Sequence, residues 1–390
     1  MNHPYNADAP LGSLHPPFTF GKRSGDWPHG GKDQAESVCY LIGTDEAGYG
    51  PNFGPLVVSA TLWRFWFAHD TAAASPSSSA TPLFDLLDAE TNTEPDDFAD
   101  DETPLLDALN RRLEPLCALT GIFPVVDSKK LYHAGQLYRL ERSLRIALAL
   151  IGKTPTTFRE LLADLTSEKS EPPCWERGVD FPIPLAAHPS RQPEPFAETL
   201  ERVRAEFAHG GIELTALASR RIHPAEFNAL LEKGQLKSDL LADATMTLAT
   251  DFLDDLTAGA ANAEPPFVIL LCDKLGGRNR YGDLLRAHFP NQPIRVFAES
   301  PGLSRYKIGK NITVRFQAKG ERNRPTAAAS LASKYLRELS MKPFNDFWSE
   351  KIPGLAPTAG YPEDARRFLA DIQPALADSR LCMSELWRNK

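Results

Sequence analysis

Two apolar runs near the start of the chain are separated by a short acidic and glycine-rich segment. The first run, Val38 to Ile42, has no helical periodicity, and the second, Pro55 to Phe67, is largely apolar and contains several aromatic residues. Apolar runs bounded by Gly and Pro predict strands, and the Gly and Pro residues between them predict a turn. We therefore predict a strand that ends in adjacent carboxylates, Asp45 and Glu46, followed by a turn and a second strand.

Helical and strand patterns alternate through the rest of the chain. Leucines at helical spacing from Leu137 to Leu148 predict an amphipathic helix, as do the apolar positions from Leu241 to Phe252. Further helices are predicted from about Tyr281 to Ala287 and from about Pro325 to Leu339. Short apolar runs predict strands at Glu213 to Ser219, Phe267 to Cys272, Ile294 to Phe297 and Ile312 to Gln317. This alternation predicts an α/β fold.

Three regions differ in composition. Residues 1–36 are rich in Pro, Gly, His and charge and have no periodic apolar pattern, so we expect a disordered tail. A catalytic domain is predicted from 37 to 345, with irregular insertions at about 68–104 and 165–200. Residues 346–390 are predicted to form a helical C-terminal extension.

The charge of the chain is unevenly distributed. The net charge is −8, yet Leu271 to Lys342 contains 15 Lys or Arg against 5 Asp or Glu, a local excess of +10 that leaves −18 for the remainder. A basic segment of this kind is typical of a surface that meets a phosphate backbone, although it is equally compatible with a solvated positive face.

Membrane insertion, zinc binding and disulfide bonding find no support in the sequence. No apolar run approaches the length of a membrane span, and the N-terminus has no signal pattern, so a cytoplasmic location is expected. The five cysteines occur singly, which indicates neither a zinc site nor a disulfide framework.

Four stretches, in order, resemble motifs of the ribonuclease H type 2 superfamily, which comprises ribonucleases HII and HIII. They are Gly43 to Pro55 (GTDEAGYGPNFGP), Asp127 to Leu131 (DSKKL), the strand ending at Asp273, and Lys319-Gly320-Glu321 with the following Ala-rich helix. The chain is identified by these motifs as a divergent member. The resemblance implies a ribonuclease H-like fold, with a mixed central sheet flanked by helices.

The resemblance also implies one carboxylate site formed by Asp45, Glu46, Asp273 and Glu321. Two Mg²⁺ or Mn²⁺ ions held about 4 Å apart stabilise the charge that develops during phosphodiester hydrolysis, and they activate a water molecule. Carboxylates are the ligands that Mg²⁺ prefers. The implied activity is cleavage of the RNA strand of an RNA–DNA hybrid or of a ribonucleotide-containing DNA duplex, and we expect a monomer.

Substrate contacts are implied as well. The backbone of Gly48-Tyr49-Gly50 corresponds to a turn that reads the 2′-OH, but ribonuclease HII usually has Arg where this chain has Tyr49. Tyr361 falls where the family has a tyrosine that stacks on the sugar at the junction. The candidate phosphate contacts are Lys129, Lys130, Lys319, Arg322 and Arg324. Because Tyr49 carries no charge, we expect weaker selectivity for an isolated ribonucleotide.

Two other classes remain open. A nucleic-acid-binding protein could keep this fold after losing turnover, and metal-dependent cleavage would separate it from an enzyme. An actin-like ATPase also begins with an Asp-bearing strand and a glycine turn, but the further phosphate-binding glycine motifs that it needs are not found in the sequence.

Overall fold

The computed structural model describes residues 37–67, 103–120, 137–166, 171–185, 195–258, 266–275, 277–378 and 381–389. The strands are β1 Ser37–Ala47, β2 Leu56–Phe67, β3 Ile212–Ile222, β4 Phe267–Asp273, β5 Ile294–Glu299, β6 Leu303–Ile308 and β7 Ile312–Gln317. The helices are α1 Thr103–Thr120, α2 Leu137–Leu150, α3 Phe158–Leu165, α4 Phe196–His209, α5 Pro224–Glu232, α6 Lys237–Thr257, α7 Gly282–His288, α8 Arg324–Lys351, α9 Pro362–Asp378 and α10 Met383–Leu386. A single 3₁₀ turn, Gly320–Arg322, precedes α8 within these ranges.

The strands described form one mixed sheet in the order β3-β2-β1-β4-β7-β6-β5. β1 is antiparallel to β2 and parallel to β4, and β4 is in turn parallel to β7. The β5–β6–β7 meander extends the sheet at one side through antiparallel pairing. The predicted α/β class, with a mixed central sheet flanked by helices, is confirmed.

The two faces of the sheet are buried by different helices. Alternate β1 and β4 residues such as Leu41 and Ile269 pack with α1, α2, α4 and α8, and the residues between them, such as Ile42 and Leu270, pack with α5, α6 and α7. Because successive strand side chains point to opposite faces and both faces are covered, the two strands are apolar over 38–42 and 267–272 instead of alternating with polar residues. The sheet is therefore the middle layer of a three-layer structure.

A third apolar cluster joins the C-terminal helices to the glycine-rich turn between β1 and β2. Phe53 of that turn is fully buried, and its ring lies 5.3 Å from Phe344 of α8 and 5.7 Å from Phe368 of α9. Trp387 meets the same ring edge-on at 5.2 Å. The helical C-terminal extension is confirmed, and it packs directly against the turn.

Several details differ from the sequence-based expectations. β6, α3 and α4 were not predicted, and α8 continues to Lys351, so the domain boundary predicted at 345/346 lies inside a helix. Part of the second predicted insertion, 171–185, is irregular but anchored, since Glu176 forms a buried ion pair with Arg221 of β3 at 3.0 Å. The predicted tail 1–36 and residues 68–102 lie outside the described residues. None of the helices described is long and apolar enough to cross a membrane.

Candidate active site

The parallel pairing of β1 with β4 brings two of the predicted carboxylates together. Thr44 pairs with Cys272, so the next residue on each strand, Asp45 and Asp273, lies at the same edge of the sheet. Parallel strands end in the same direction, which is why carboxylates 228 positions apart in the chain become neighbours. The sheet thus places Asp45 and Asp273 side by side.

Strand geometry also determines which helix faces each carboxylate. Asp45 lies on the same face of the sheet as Leu41, and Asp273 lies on the same face as Leu271. This face packs against α8. Glu46 starts on the opposite face, yet besides burial the charges of Asp45 and Asp273 both raise its pKa, so its carboxyl group lies close to theirs. The structure therefore brings Asp45, Glu46 and Asp273 into one charged group, even though β1 remains paired with β2 through Ala47.

This proximity changes the acid–base properties of the β1 carboxyls. Burial raises the pKa of Asp45, a hydrogen bond from Ser330 and the charge of Lys334 lower it, and the Asp273 charge raises it further. Burial raises the pKa of Glu46 too, and the negative charges of Asp45 and Asp273 add to the shift. Both pKa values lie above their ordinary range, so negative charge is in excess here and a bound cation would relieve it.

α8 lies unusually close to β1 at Gly43. The next turn of α8 lies over Asp45. A Cβ at Gly43 would lie 2.1 Å from the carbonyl carbon of Pro325 and 2.3 Å from the Thr326 nitrogen. Thr61 of β2 donates to the Pro325 carbonyl at 2.8 Å, and Thr326 donates to the Leu271 carbonyl at 3.3 Å. These contacts fix the helix whose next turn carries Ser330 over Asp45.

The fourth predicted carboxylate, Glu321, lies beside the end of β4. The Gly320 N–H donates to Asp273 Oδ1 at 3.1 Å, and the Lys274 N–H donates to the same oxygen at 2.8 Å. A Cβ at Gly320 would lie 3.0 Å from Asp273 Cα, so the backbone before Glu321 rests on Asp273. Lys319 accommodates this approach with a left-handed backbone (φ 62°).

The predicted phosphate contacts are spread over two places. Lys319 and Arg322 are exposed. Arg322 and Arg324 line one pocket with Asp107, Asn110 and Arg111 of α1. Asn110 accepts from the Arg324 N–H at 3.1 Å, so α1 also supports the start of α8. Lys129 and Lys130 lie outside the described residues.

The glycine-rich turn places Tyr49 against a lysine. Gly48 has φ +84°, a conformation that favours glycine, and Gly50 is exposed with open space around its Cα. The Lys237 ammonium, at the start of α6, lies 4.2 Å from the centre of the Tyr49 ring. Position 49 is uncharged, but a cation stands directly beside it.

The loop that carries Tyr361 docks on the same turn. The Gly360 carbonyl accepts from the Asn52 N–H at 2.8 Å, and Arg337 of α8 donates to the Ala359 carbonyl at 2.7 Å. The Arg337 guanidinium lies 5.7 Å from the centre of the Tyr361 ring, which is 54% exposed. The structure therefore brings the two predicted substrate elements, Gly48–Gly50 and Tyr361, next to each other.

Some residues at the site were not predicted from the sequence. Lys237 and Arg388 lie far from the motifs along the chain, and Arg388 reaches the turn from a segment with no motif of its own. Arg337 lies on the helix that follows the fourth motif, but no pattern marked it. Ser330 falls in the Ala-rich stretch that the resemblance already covers, where a polar residue among alanines was the available signal.

The donor set suits a hard divalent cation, whereas the side-chain arrangement does not enclose one. Carboxylate oxygens from Asp45, Glu46 and Asp273 are grouped, and Mg²⁺ and Mn²⁺ prefer such ligands. Among the described residues, however, no three His, Cys, Asp or Glu side chains form a ready metal cage. These carboxylates would therefore have to reorient to enclose an ion.

Comparisons with known proteins give structural matches only. No family model and no curated protein matches the chain. A variant of Bst-RNase HIII is 15% identical over 89% of this chain and 65% of its own length, with a TM-score of 0.37. Bst-RNase HIII in complex with Mn²⁺ is 13% identical over 90% and 67%, with a TM-score of 0.33. The match from the PCNA:RNase HII complex of Archaeoglobus fulgidus is 14% identical over 90% and 94%, with a TM-score of 0.38. The chain thus spans about two thirds of the Bst-RNase HIII chains, and its activity has to follow from its own residues.

Proposed function

We propose that the protein is a metal-dependent endonuclease that hydrolyses the RNA strand of RNA–DNA hybrids. The observation that supports this most directly is the meeting of Asp45, Glu46 and Asp273 at the ends of two parallel strands. Glu321 follows Gly320, whose N–H binds Asp273, and exposed cations lie nearby on Lys319 and Arg322. Carboxylates for metal and cations for phosphate are the two requirements of phosphodiester hydrolysis.

Each carboxylate has a proposed role in this activity. Asp45, Glu46, Asp273 and Glu321 would hold two Mg²⁺ or Mn²⁺ ions, which when bound stabilise the developing charge and activate water. Ser330 and Lys334 orient the Asp45 carboxylate and reduce its negative field. The Gly320 and Lys274 N–H groups do the same for Asp273, and both bind its Oδ1 atom. The second oxygen of Asp273 is thereby left to face a ligand.

Metal removal tests the proposal. We expect the purified protein to cleave an end-labelled RNA–DNA hybrid in the RNA strand with Mg²⁺ or Mn²⁺, and to lose this activity in EDTA. Re-adding the ion should restore cleavage. DNA–DNA duplex of the same sequence is the control substrate, and a duplex with one ribonucleotide tests the range of substrates. Cleavage that persists in EDTA, or equal cleavage of the all-DNA duplex, would contradict the proposal.

A second candidate is a nucleic-acid-binding protein without turnover. One observation favours it, namely that the carboxylates described do not form a ready metal cage. Binding of the hybrid in a gel-shift assay, with no cleavage in either metal over a wide range of enzyme concentrations, would favour this candidate.

Substrate choice is tested by Tyr49→Arg. An arginine at position 49 could make a charge-assisted contact with a phosphate beside the scissile bond, worth about 1.5–3 kcal/mol. We expect wild-type protein to prefer runs of ribonucleotides, and the variant to cleave a single embedded ribonucleotide about tenfold better relative to the hybrid. Initial rates on the two labelled substrates measure this ratio.

A second variant, Lys237→Ala, tests the cation beside Tyr49, and Lys233→Ala is its control. The Lys237 ammonium lies beside the Tyr49 ring, so it would compete with the new arginine for the same phosphate. We expect Lys237→Ala to lower the salt dependence of hybrid binding by about one phosphate contact. Lys233→Ala removes an exposed charge four residues before Lys237 and should change neither the salt dependence of binding nor the ratio of the two cleavage rates. Equal wild-type rates on both substrates, unaltered by Tyr49→Arg, would show that Tyr49 is a neutral replacement.

A further inference from the structure

Arg388 reaches the glycine-rich turn from the C-terminal segment, defined here as Cys382–Asn389. Its side chain is 1% exposed, and Nη2 donates to the carbonyl oxygens of Gly48 and Pro51. The Arg388 N–H donates to the Asn52 carbonyl at 2.8 Å, and the Asn52 amide returns a bond to the Arg388 carbonyl at 3.2 Å. Four hydrogen bonds therefore join one residue of this segment to the turn that follows the carboxylates.

The C-terminal segment is itself anchored from the other side. Asn228 of α5 donates to the Ser384 carbonyl at 2.9 Å and to the Trp387 carbonyl at 2.7 Å. The Asn389 N–H donates back to Asn228 Oδ1 at 2.8 Å. The Arg388 guanidinium also lies 5.2 Å from the centre of the Phe227 ring on the same helix. Arg388 is thus held by a fixed element and is not a freely moving surface side chain.

The charge of Arg388 is poorly compensated. Burial, and after it the positive charge of Arg337, lower the pKa of its guanidinium to about 9. Its Nε and Nη1 atoms make no hydrogen bond within the described part of the chain. A buried cation that meets carbonyl oxygens and a second cation costs stability compared with an apolar side chain of similar length. Global stability does not explain why an arginine occupies this position.

The contacts of Arg388 do determine which way the turn faces. In a trans peptide the C=O of one residue and the N–H of the next point in opposite directions. Since the Gly48 carbonyl is directed at Arg388, the Tyr49 N–H is directed away from it. Gly48, whose φ is +84°, would otherwise let this peptide rotate at lower cost than another residue, because glycine has the widest backbone freedom. Arg388 therefore selects one orientation of a backbone that the sequence leaves flexible.

We propose that Arg388 is a positioning residue that holds the Gly48–Pro51 turn in the orientation that aligns a ribonucleotide over the carboxylates. This inference rests on the proposed nuclease function and extends it to a segment some 340 residues away in the chain. Arg388 acts through the backbone of the turn. It touches neither the metal ligands nor the substrate.

The test compares Arg388→Met and Arg388→Lys in the full chain, with Arg366→Ala as a control that removes an exposed arginine from α9. We expect Arg388→Met to melt within a few degrees of wild type or above it, because an uncompensated buried charge is gone. Its amides in residues 48–53 should exchange with solvent at least tenfold faster. A misplacement of about 1 Å at a reacting centre can cost about a hundredfold, and we expect a loss of that order in kcat/KM on the hybrid. Arg388→Lys should recover part of the amide protection and part of kcat/KM, and Arg366→Ala should match wild type in both.

The possible outcomes separate the two proposals. Wild-type cleavage and wild-type exchange in Arg388→Met would overturn the positioning role while leaving the nuclease function intact. Absence of cleavage in the wild-type protein would overturn the function, and exchange of residues 48–53 would still report whether Arg388 orders the turn. If Arg388→Met does not fold, Asn228→Ala loosens the C-terminal segment without changing Arg388. In that case unchanged cleavage and exchange in Asn228→Ala would overturn the inference.

Discussion

Asp45→Asn is expected to abolish metal-dependent cleavage, with a loss of about a thousandfold or more. A metal ion contributes several kcal/mol to the transition state, and each 1.36 kcal/mol is a factor of ten in rate. Asn keeps the size of Asp and one carbonyl oxygen but removes the charge that attracts the cation. Asp273→Asn should have the same effect, because Asp273 lies beside Asp45 at the strand ends. Single-turnover cleavage at saturating metal measures both.

Stability distinguishes loss of a ligand from loss of the fold. Asp45→Asn removes repulsion between Asp45, Glu46 and Asp273, so the melting temperature without metal should equal or exceed that of wild type. Asp283→Asn neutralises a fully exposed carboxylate on α7 and should change neither activity nor stability. Full hydrolysis by Asp45→Asn or Asp273→Asn at matched metal concentration would exclude the proposed site.

Gly43→Ala is expected to give the largest loss of stability of any variant considered. The added Cβ would lie 2.1 Å from a backbone carbon of Pro325, so α8 would have to move by about 1 Å or more to restore normal contact. Overpacking of this kind costs about 3 kcal/mol, which corresponds to roughly 5 °C in a domain of this size. Thermal unfolding followed by circular dichroism measures the shift.

The same displacement should reach the carboxylates. Ser330 and Lys334 lie on α8 near Asp45, and they would move with the helix. We therefore expect the folded fraction of Gly43→Ala to cleave more slowly than wild type at a temperature where both are folded. Gly302→Ala is the control, since a Cβ there meets nothing within 4 Å. A melting temperature for Gly43→Ala within about 1 °C of wild type would show that α8 tolerates the methyl group, against the expected cost.

Local sequence pattern was sufficient to predict the strands and helices whose apolar residues form a continuous run or a regular helical spacing. The strand predicted from Ile312 to Gln317 is β7 with the same bounds, and the helix predicted from the apolar positions Leu241 to Phe252 lies within α6. β6 was missed because polar and charged residues alternate with apolar ones over only six positions in Leu303–Ile308. Its strand character depends on pairing with β5 and β7, which are tertiary contacts.

The end of α8 shows how packing overrides a local signal. Pro343 lacks an N–H and favours a helix end, and the helix was predicted only as far as Leu339. α8 nevertheless continues to Lys351, because Phe344 and Trp348 on its far side are buried against Phe53, α9 and Trp175. That stabilisation comes from residues distant in the chain, which periodicity cannot reveal.

The candidate site also contains residues that the sequence could suggest and residues that only tertiary packing places there. Asp45, Glu46 and Asp273 stand at strand ends within the motifs that carry the resemblance, so the sequence could suggest them as one site before the sheet order was known. Arg388 carries no motif, and its position depends on the path of the C-terminal segment around α5. Lys237 is likewise placed by the packing of α6, and a lysine at a helix start has no distinguishing pattern.

The contact between Arg388 and the glycine-rich turn has a consequence for biosynthesis. A ribosome makes Asp45 early and Arg388 more than 300 residues later, so the turn cannot be locked while the chain is still being translated. Such distant pairings also close late in folding, because the entropy of a long loop must be lost first. A nascent or truncated chain that lacks residues 382–389 would display the four carboxylates without the ordered turn. The proposed hydrolase would thus become active only after residues 382–389 have been made and have docked on the turn.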